Sequence, residues 1–64
     1  MQPQGMSAVD IQNLRRRLGW SQEQMAREVG VSFTTINRWE RGRAVPRGLS
    51  IPALEQLARK APAA

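Results

Sequence analysis

Apolar residues recur along this chain at three- and four-residue spacing, in short blocks set off by serines and glycines. Ile11, Leu14 and Leu18 share one helical face with Arg15. Ser7 and Asp10 form a helix N-terminus signal before that block, and Gly19 stops it. Met25, Ala26 and Val29 make a second stripe, opened by a Ser21–Gln24 capping box and closed by Gly30, a residue suited to the left-handed conformation that ends helices. Ser32 caps a third block ended by Gly42. A fourth, with Leu54, Leu57, Ala58 and Ala61 as its stripe, starts near Ser50 or Ile51 and ends at Pro62. Pro52 lies in its first turn, where a missing amide costs nothing.

The pattern predicts helices over about 8–18, 22–29, 33–41 and 51–61. Nothing reads as a strand or an internal repeat, so the expected fold is all-α, a compact bundle of four short helices around one core. Residues 7–61 form the expected domain. Residues 1–6, polar with Pro3 and Gly5, are expected as a disordered leader in which Met6 is an alternative start, and 62–64 as a short tail. Between the third and fourth helices, 43–49 is a basic loop containing Pro46 and Gly48.

The join between the second and third helices has the layout of a helix-turn-helix. Two helices linked by a three- or four-residue turn cross steeply only when their backbones come close. Ala26 is small at the expected crossing, Gly30 permits a sharp exit, and Val31 plugs the junction. Ile36 and Trp39 then pack back against Met25 and Val29. At roughly 100° per residue, Ile36, Trp39 and Glu40 point inward together. Thr34, Asn37, Arg38 and Arg41 gather on the opposite side, with Phe33 at the margin. That outer face holds no acid. Hydroxyl, amide and guanidinium groups are the types that read base edges and clamp phosphates.

Composition narrows the chemistry. The 64 residues make one small domain, and a chain of this size buries only roughly 60% of its unfolded surface. Ten basic residues, nine of them arginine, stand against five acids for a net charge of +5. With a pI near 11.7, the partner favoured by charge is a polyanion. There is no cysteine and no histidine, which removes disulfides, thiolate metal sites and the commonest general base and zinc ligand. Glu23, Glu28 and Glu55 read as surface charges rather than a catalytic pair, so no enzyme, metal or cofactor is expected. The lack of a long apolar run or a basic-then-apolar leader predicts a cytoplasmic protein with no membrane partner.

Residues 11 to 42 resemble the Cro/CI-type (lambda-repressor-like) phage repressors and the wider xenobiotic-response-element family of bacterial regulators. The matching text runs from Ile11 to Ala26, then Gly30-Val31-Ser32, then Ile36-Asn37-Arg38-Trp39-Glu40-Arg41-Gly42. The fourth helix agrees in kind and the loop before it loosely. The resemblance implies base contacts from Phe33, Thr34, Asn37 and Arg38. It implies phosphate contacts from Gln22, Thr35, Arg41, Arg43 and Arg47, and helix N-terminal amides favour an anion beside Gln22. Arg15 and Glu40 match an ion pair common in the family, and both fall on apolar faces, where neither stays unpaired cheaply. The chain departs from many phage repressors at Phe33, where they carry a glutamine that reads adenine and braces the residue matching Gln22. Phenylalanine does neither, but it offers an apolar contact for a thymine methyl.

Trp20, Trp39 and Met25 read as core, and Arg16 and Arg17 as solvated surface. The function expected is a sequence-specific DNA-binding regulator, a repressor, bound to double-stranded DNA at a palindromic operator as a weak homodimer formed on DNA, with no small-molecule effector. The alternative is a protein-interaction module, such as an antitoxin-like or adaptor subunit.

Overall fold

The computed structural model describes residues 6–62; residues 1–5 of the expected leader over 1–6 and the last two residues of the expected tail lie outside them. Four helices follow in order: α1 (Ala8–Leu18), α2 (Gln22–Val29), α3 (Phe33–Glu40) and α4 (Ser50–Lys60), with no strand among the described residues. Serine caps start the first three. Ser7 Oγ accepts the Asp10 amide at 3.1 Å while the Asp10 carboxylate accepts the Ser7 amide at 3.1 Å, a complete capping box. The Ser21 box forms by half. Ser21 Oγ accepts the Gln24 amide, but the Gln24 side chain donates to Glu28 at 2.8 Å and accepts from Arg27 at 3.0 Å. Partners one turn along the exposed face thus take the amide that would have reached back. Ser32 Oγ accepts the Thr35 amide to open α3.

Two ends differ by a residue from the periodic reading. Arg41 caps α3 rather than extending it, and α4 stops at Lys60. Ala61, expected inside α4, is extended (φ −70°, ψ 143°) because it precedes Pro62, whose ring disfavours helical backbone in the residue before it. The start of α4 has no side-chain cap, since Leu49 occupies that position.

Ile11, Leu14, Met25, Ile36 and Leu54 are fully buried, joined by Ala26, Trp39 and Leu57. Each large apolar side chain contributes about 1.5–3 kcal/mol on burial. Since domains of this size hold only about 3–5 kcal/mol in all, no core residue is dispensable. α3 packs on both α1 and α2, and α4 closes against α2. Met6, expected in the leader, instead packs on this core from the residue just before the α1 cap, where an apolar side chain commonly staples the helix entry. Pro46 is buried too, so the basic loop is pinned at its middle.

Gly30, Val31 and Ser32 alone link α2 to α3. The amides of Gly30 and Val31 both donate to the Ala26 carbonyl, at 2.8 and 3.0 Å, which needs Gly30 at φ +89°. A Cβ built there meets nothing within 4 Å, so Gly30→Ala adds only backbone strain, about 1–2 kcal/mol for a left-handed residue. In a domain this small each kcal/mol lowers Tm by about 4–8 °C. A thermal melt followed by circular dichroism should register that drop; an unchanged Tm means the turn relaxes freely.

Candidate nucleic-acid interface

Angular position decides what α3 exposes. Ile36, Trp39 and Glu40 turn inward, as their spacing predicts, and Glu40 is only 8% exposed. Thr34, Arg38 and Arg41 are exposed, Asn37 is half-buried, and Phe33 at the helix start is 49% exposed. Arg43 and Arg47 are exposed in the loop that follows. The chain reaches that loop through Gly42 (φ +74°), and the amide of Arg43 donates back to the Arg38 carbonyl at 2.9 Å. Among the described residues Arg15–Glu40 is the only salt bridge. Arg38, Arg41, Arg43 and Arg47 therefore present cationic charge that no acid of the described fold neutralises.

Beneath that face lies a polar cluster centred on Glu40. Arg15 holds its carboxylate with two hydrogen bonds, Nε to Oε2 at 2.7 Å and Nη2 to Oε1 at 3.0 Å. The third arm of the guanidinium, Nη1, donates to the Trp20 carbonyl at 3.1 Å. Trp20 itself is half-buried against the core. Gln22 Nε2 donates to Glu40 Oε1 at 3.0 Å, and Gln12 Nε2 donates to the Glu40 backbone carbonyl at 2.7 Å. One residue at the end of α3 is thus fastened to α1 and to the start of α2. Burial alone pushes the Glu40 carboxyl up; hydrogen bonds from Arg15 and Gln22 and the charges of Arg15 and Arg16 outweigh it and hold the group below its ordinary value. The Arg15 guanidinium is raised, chiefly by its hydrogen bond to Glu40.

The ion pair was legible in the sequence; the glutamines around it were not. Gln12 and Arg15 are three apart on α1 and so share a face, which was the available signal for Gln12. Gln22 lies at the first turn of α2, where a phosphate was expected, yet both ends of its amide have partners within the fold. Its Oε1 accepts from Asn37 Nδ2 at 3.3 Å. Asn37, one turn further along α3 than Phe33, thereby gives Gln22 a hydrogen bond that a phenylalanine side chain cannot. Thr35, also expected at a phosphate, is half-buried, with its hydroxyl 3.0 Å from that of Ser32.

No helix of the described residues is long and apolar enough to cross a membrane. Comparison with the curated proteins returned no match. A helix-turn-helix family model matches residues 11–61, from the first buried residue of α1 to one residue past the end of α4. With that match spanning most of the chain, over a helix pair joined by a three-residue turn and a third helix whose outer face is polar and acid-free, the protein belongs to the Cro/CI-type, xenobiotic-response-element family of helix-turn-helix DNA-binding domains.

Proposed function

We propose that the domain is a sequence-reading transcriptional repressor that lays α3 in the DNA major groove. One observation carries this reading most directly. The outward side of α3 offers Thr34, Asn37, Arg38 and Arg41 without an acid, continuous in sequence with the exposed Arg43 and Arg47. In this reading Phe33, Thr34, Asn37 and Arg38 meet base edges, while Arg41, Arg43, Arg47, Thr35 and the free amide hydrogen of Gln22 meet phosphates. Repression then needs no chemistry beyond occupancy of the operator.

A single module of this kind buries about 600–1,000 Å² on DNA, so useful affinity calls for two copies on half-sites about one helical turn apart. The second reading, a protein-interaction module, draws on Val45 and Leu49, apolar side chains 62% and 88% exposed around the α3–α4 loop. A titration against a mixed pool of duplexes at several salt concentrations, with the retained DNA sequenced, separates the two. With four to six phosphates contacted, at about −0.9 each, log affinity should fall against log salt with a slope of about −4 to −5. That slope together with an enriched, roughly palindromic site is the expected result. No retention at low salt would sink the DNA reading and leave the protein partner.

A further inference from the structure

We propose that Phe33 makes the domain responsive to cytosine methylation of its DNA. The ring accepts the C5-methyl group of 5-methylcytosine as it does that of thymine, and no side chain beside it tells the two bases apart. The proposal rests on the major-groove reading above and adds to it a covalent state of the DNA that controls occupancy.

Four large apolar side chains stand exposed among the described residues, Val9, Phe33, Val45 and Leu49, and of these only Phe33 belongs to α3. It is the first residue of that helix, directly after the Ser32 cap. A phenyl ring has no donor or acceptor to aim at a base edge. What it offers the major groove is apolar contact, and the apolar group there is the C5-methyl of thymine. A methyl lies on one strand of every A·T pair and on neither strand of an unmodified G·C pair. The contact therefore sorts base pairs into two classes.

Methylation of cytosine at C5 moves a G·C pair from one class to the other. Thymine and 5-methylcytosine carry the same methyl and differ at position 4, a carbonyl acceptor in the first and an amino donor in the second. Telling them apart takes a side chain committed to donating or to accepting. The polar residues beside Phe33 are Ser32, Thr34 and Thr35, and a hydroxyl does either. Ser32 and Thr35 are moreover engaged with each other, their hydroxyl oxygens 3.0 Å apart. The next polar side chain of α3 is Asn37, four residues on and about 6 Å along the axis, whereas base pairs follow one another at about 3.4 Å. Asn37 thus faces a different pair, and Gln22 beside it has both ends of its amide bonded within the fold.

The test uses the whole chain and two pools of random duplexes, one with ordinary cytosine and one copied with 5-methylcytosine throughout, the retained DNA being sequenced. The pair read by Phe33 is the one whose preference Phe33→Ala removes, and a thermal melt verifies that this variant folds. From the ordinary pool wild type should enrich thymine there, and from the methylated pool thymine and cytosine alike. Synthetic duplexes of the enriched site then alter that one base. Uracil in place of thymine deletes only the methyl and should weaken binding about fourfold per half-site, the effect of burying one methyl group. Cytosine should bind about fourfold more weakly than 5-methylcytosine for the same reason. Wild type should hold thymine and 5-methylcytosine duplexes within about twofold of each other, and Phe33→Ala should bind all four duplexes alike.

Equal binding of the thymine and uracil duplexes overturns the proposal, a result that needs no variant. So does 5-methylcytosine bound no better than cytosine, because a committed donor or acceptor then reads position 4. A Phe33→Ala protein that keeps the preference for methyl-bearing bases overturns it as well, by giving the methyl to another residue. Each of these outcomes leaves the repressor reading standing, since a site has been enriched. No enriched site in either pool overturns both together.

Discussion

Arg38→Glu is expected to reduce affinity for the selected duplex by on the order of a hundredfold, with no loss of fold. Two effects add. A bidentate arginine contact to a base is worth about 1–3 kcal/mol, or roughly 5- to 150-fold. The new carboxylate then sits against phosphates, and net charge falls from +5 to +3 (5 − 2 = 3). Arg38 is exposed and has no acid partner among the described residues, so its replacement touches no packing. Fluorescence anisotropy with the enriched duplex, beside a thermal melt, separates lost binding from lost structure. Affinity within about threefold of wild type would move the DNA interface away from this face of α3 and overturn the proposed groove-reading role of Arg38.

The second large effect is on stability. Removing Glu40 leaves the guanidinium of Arg15, itself 19% exposed, without its carboxylate, and Gln22 Nε2 without its acceptor. Breaking one side of a buried pair costs about 3–5 kcal/mol; the partial exposure of Arg15 lowers this to about 2–3 kcal/mol. Against total stability of about 3–5 kcal/mol for so small a domain, Glu40→Ala should remove roughly half of the stability or more and lower the urea midpoint in proportion. An apolar replacement of both partners, Arg15→Met with Glu40→Leu, should recover much of the loss, because neither charge then remains unpaired. If the single change costs no more than an ordinary surface substitution, α3 is held by apolar packing alone.

The same pair sets an acid limit. The folded carboxyl of Glu40 lies below its ordinary value of 4.5, so its contribution is fully present above that pH and is lost as pH falls through the depressed folded value. Wild-type Tm should therefore decline below about pH 4.5, and a Glu40→Gln variant should show a flatter acid limb over the same range.

The lessons for reading such a chain lie in particular residues. Ser7, Ser21 and Ser32 mark three helix starts and Gly19, Gly30 and Gly42 three stops, all found where the sequence places them, because capping and left-handed turns involve only neighbours in the chain. Ile36, Trp39 and Glu40 were legible as an inward set for the same reason: periodicity assigns a face. The all-α class and the helix-turn-helix followed from those local rules. Where two helices had to meet, the reading stopped short. Met6 looked like leader until the core gave it a surface, and Pro46 looked like an ordinary loop residue until its packing appeared.

Gln22 marks the division most clearly. The sequence alone determined that an amide sits at the start of α2 and that a carboxylate points inward from the end of α3. Only the tertiary structure decided that they touch, with Arg15 on the other side of the carboxylate and Asn37 beyond the amide. A hydrogen bond depends on a distance of about 3 Å and an angle. Helical spacing determines which side of a helix a residue occupies, while the approach of one helix to another determines what it meets there.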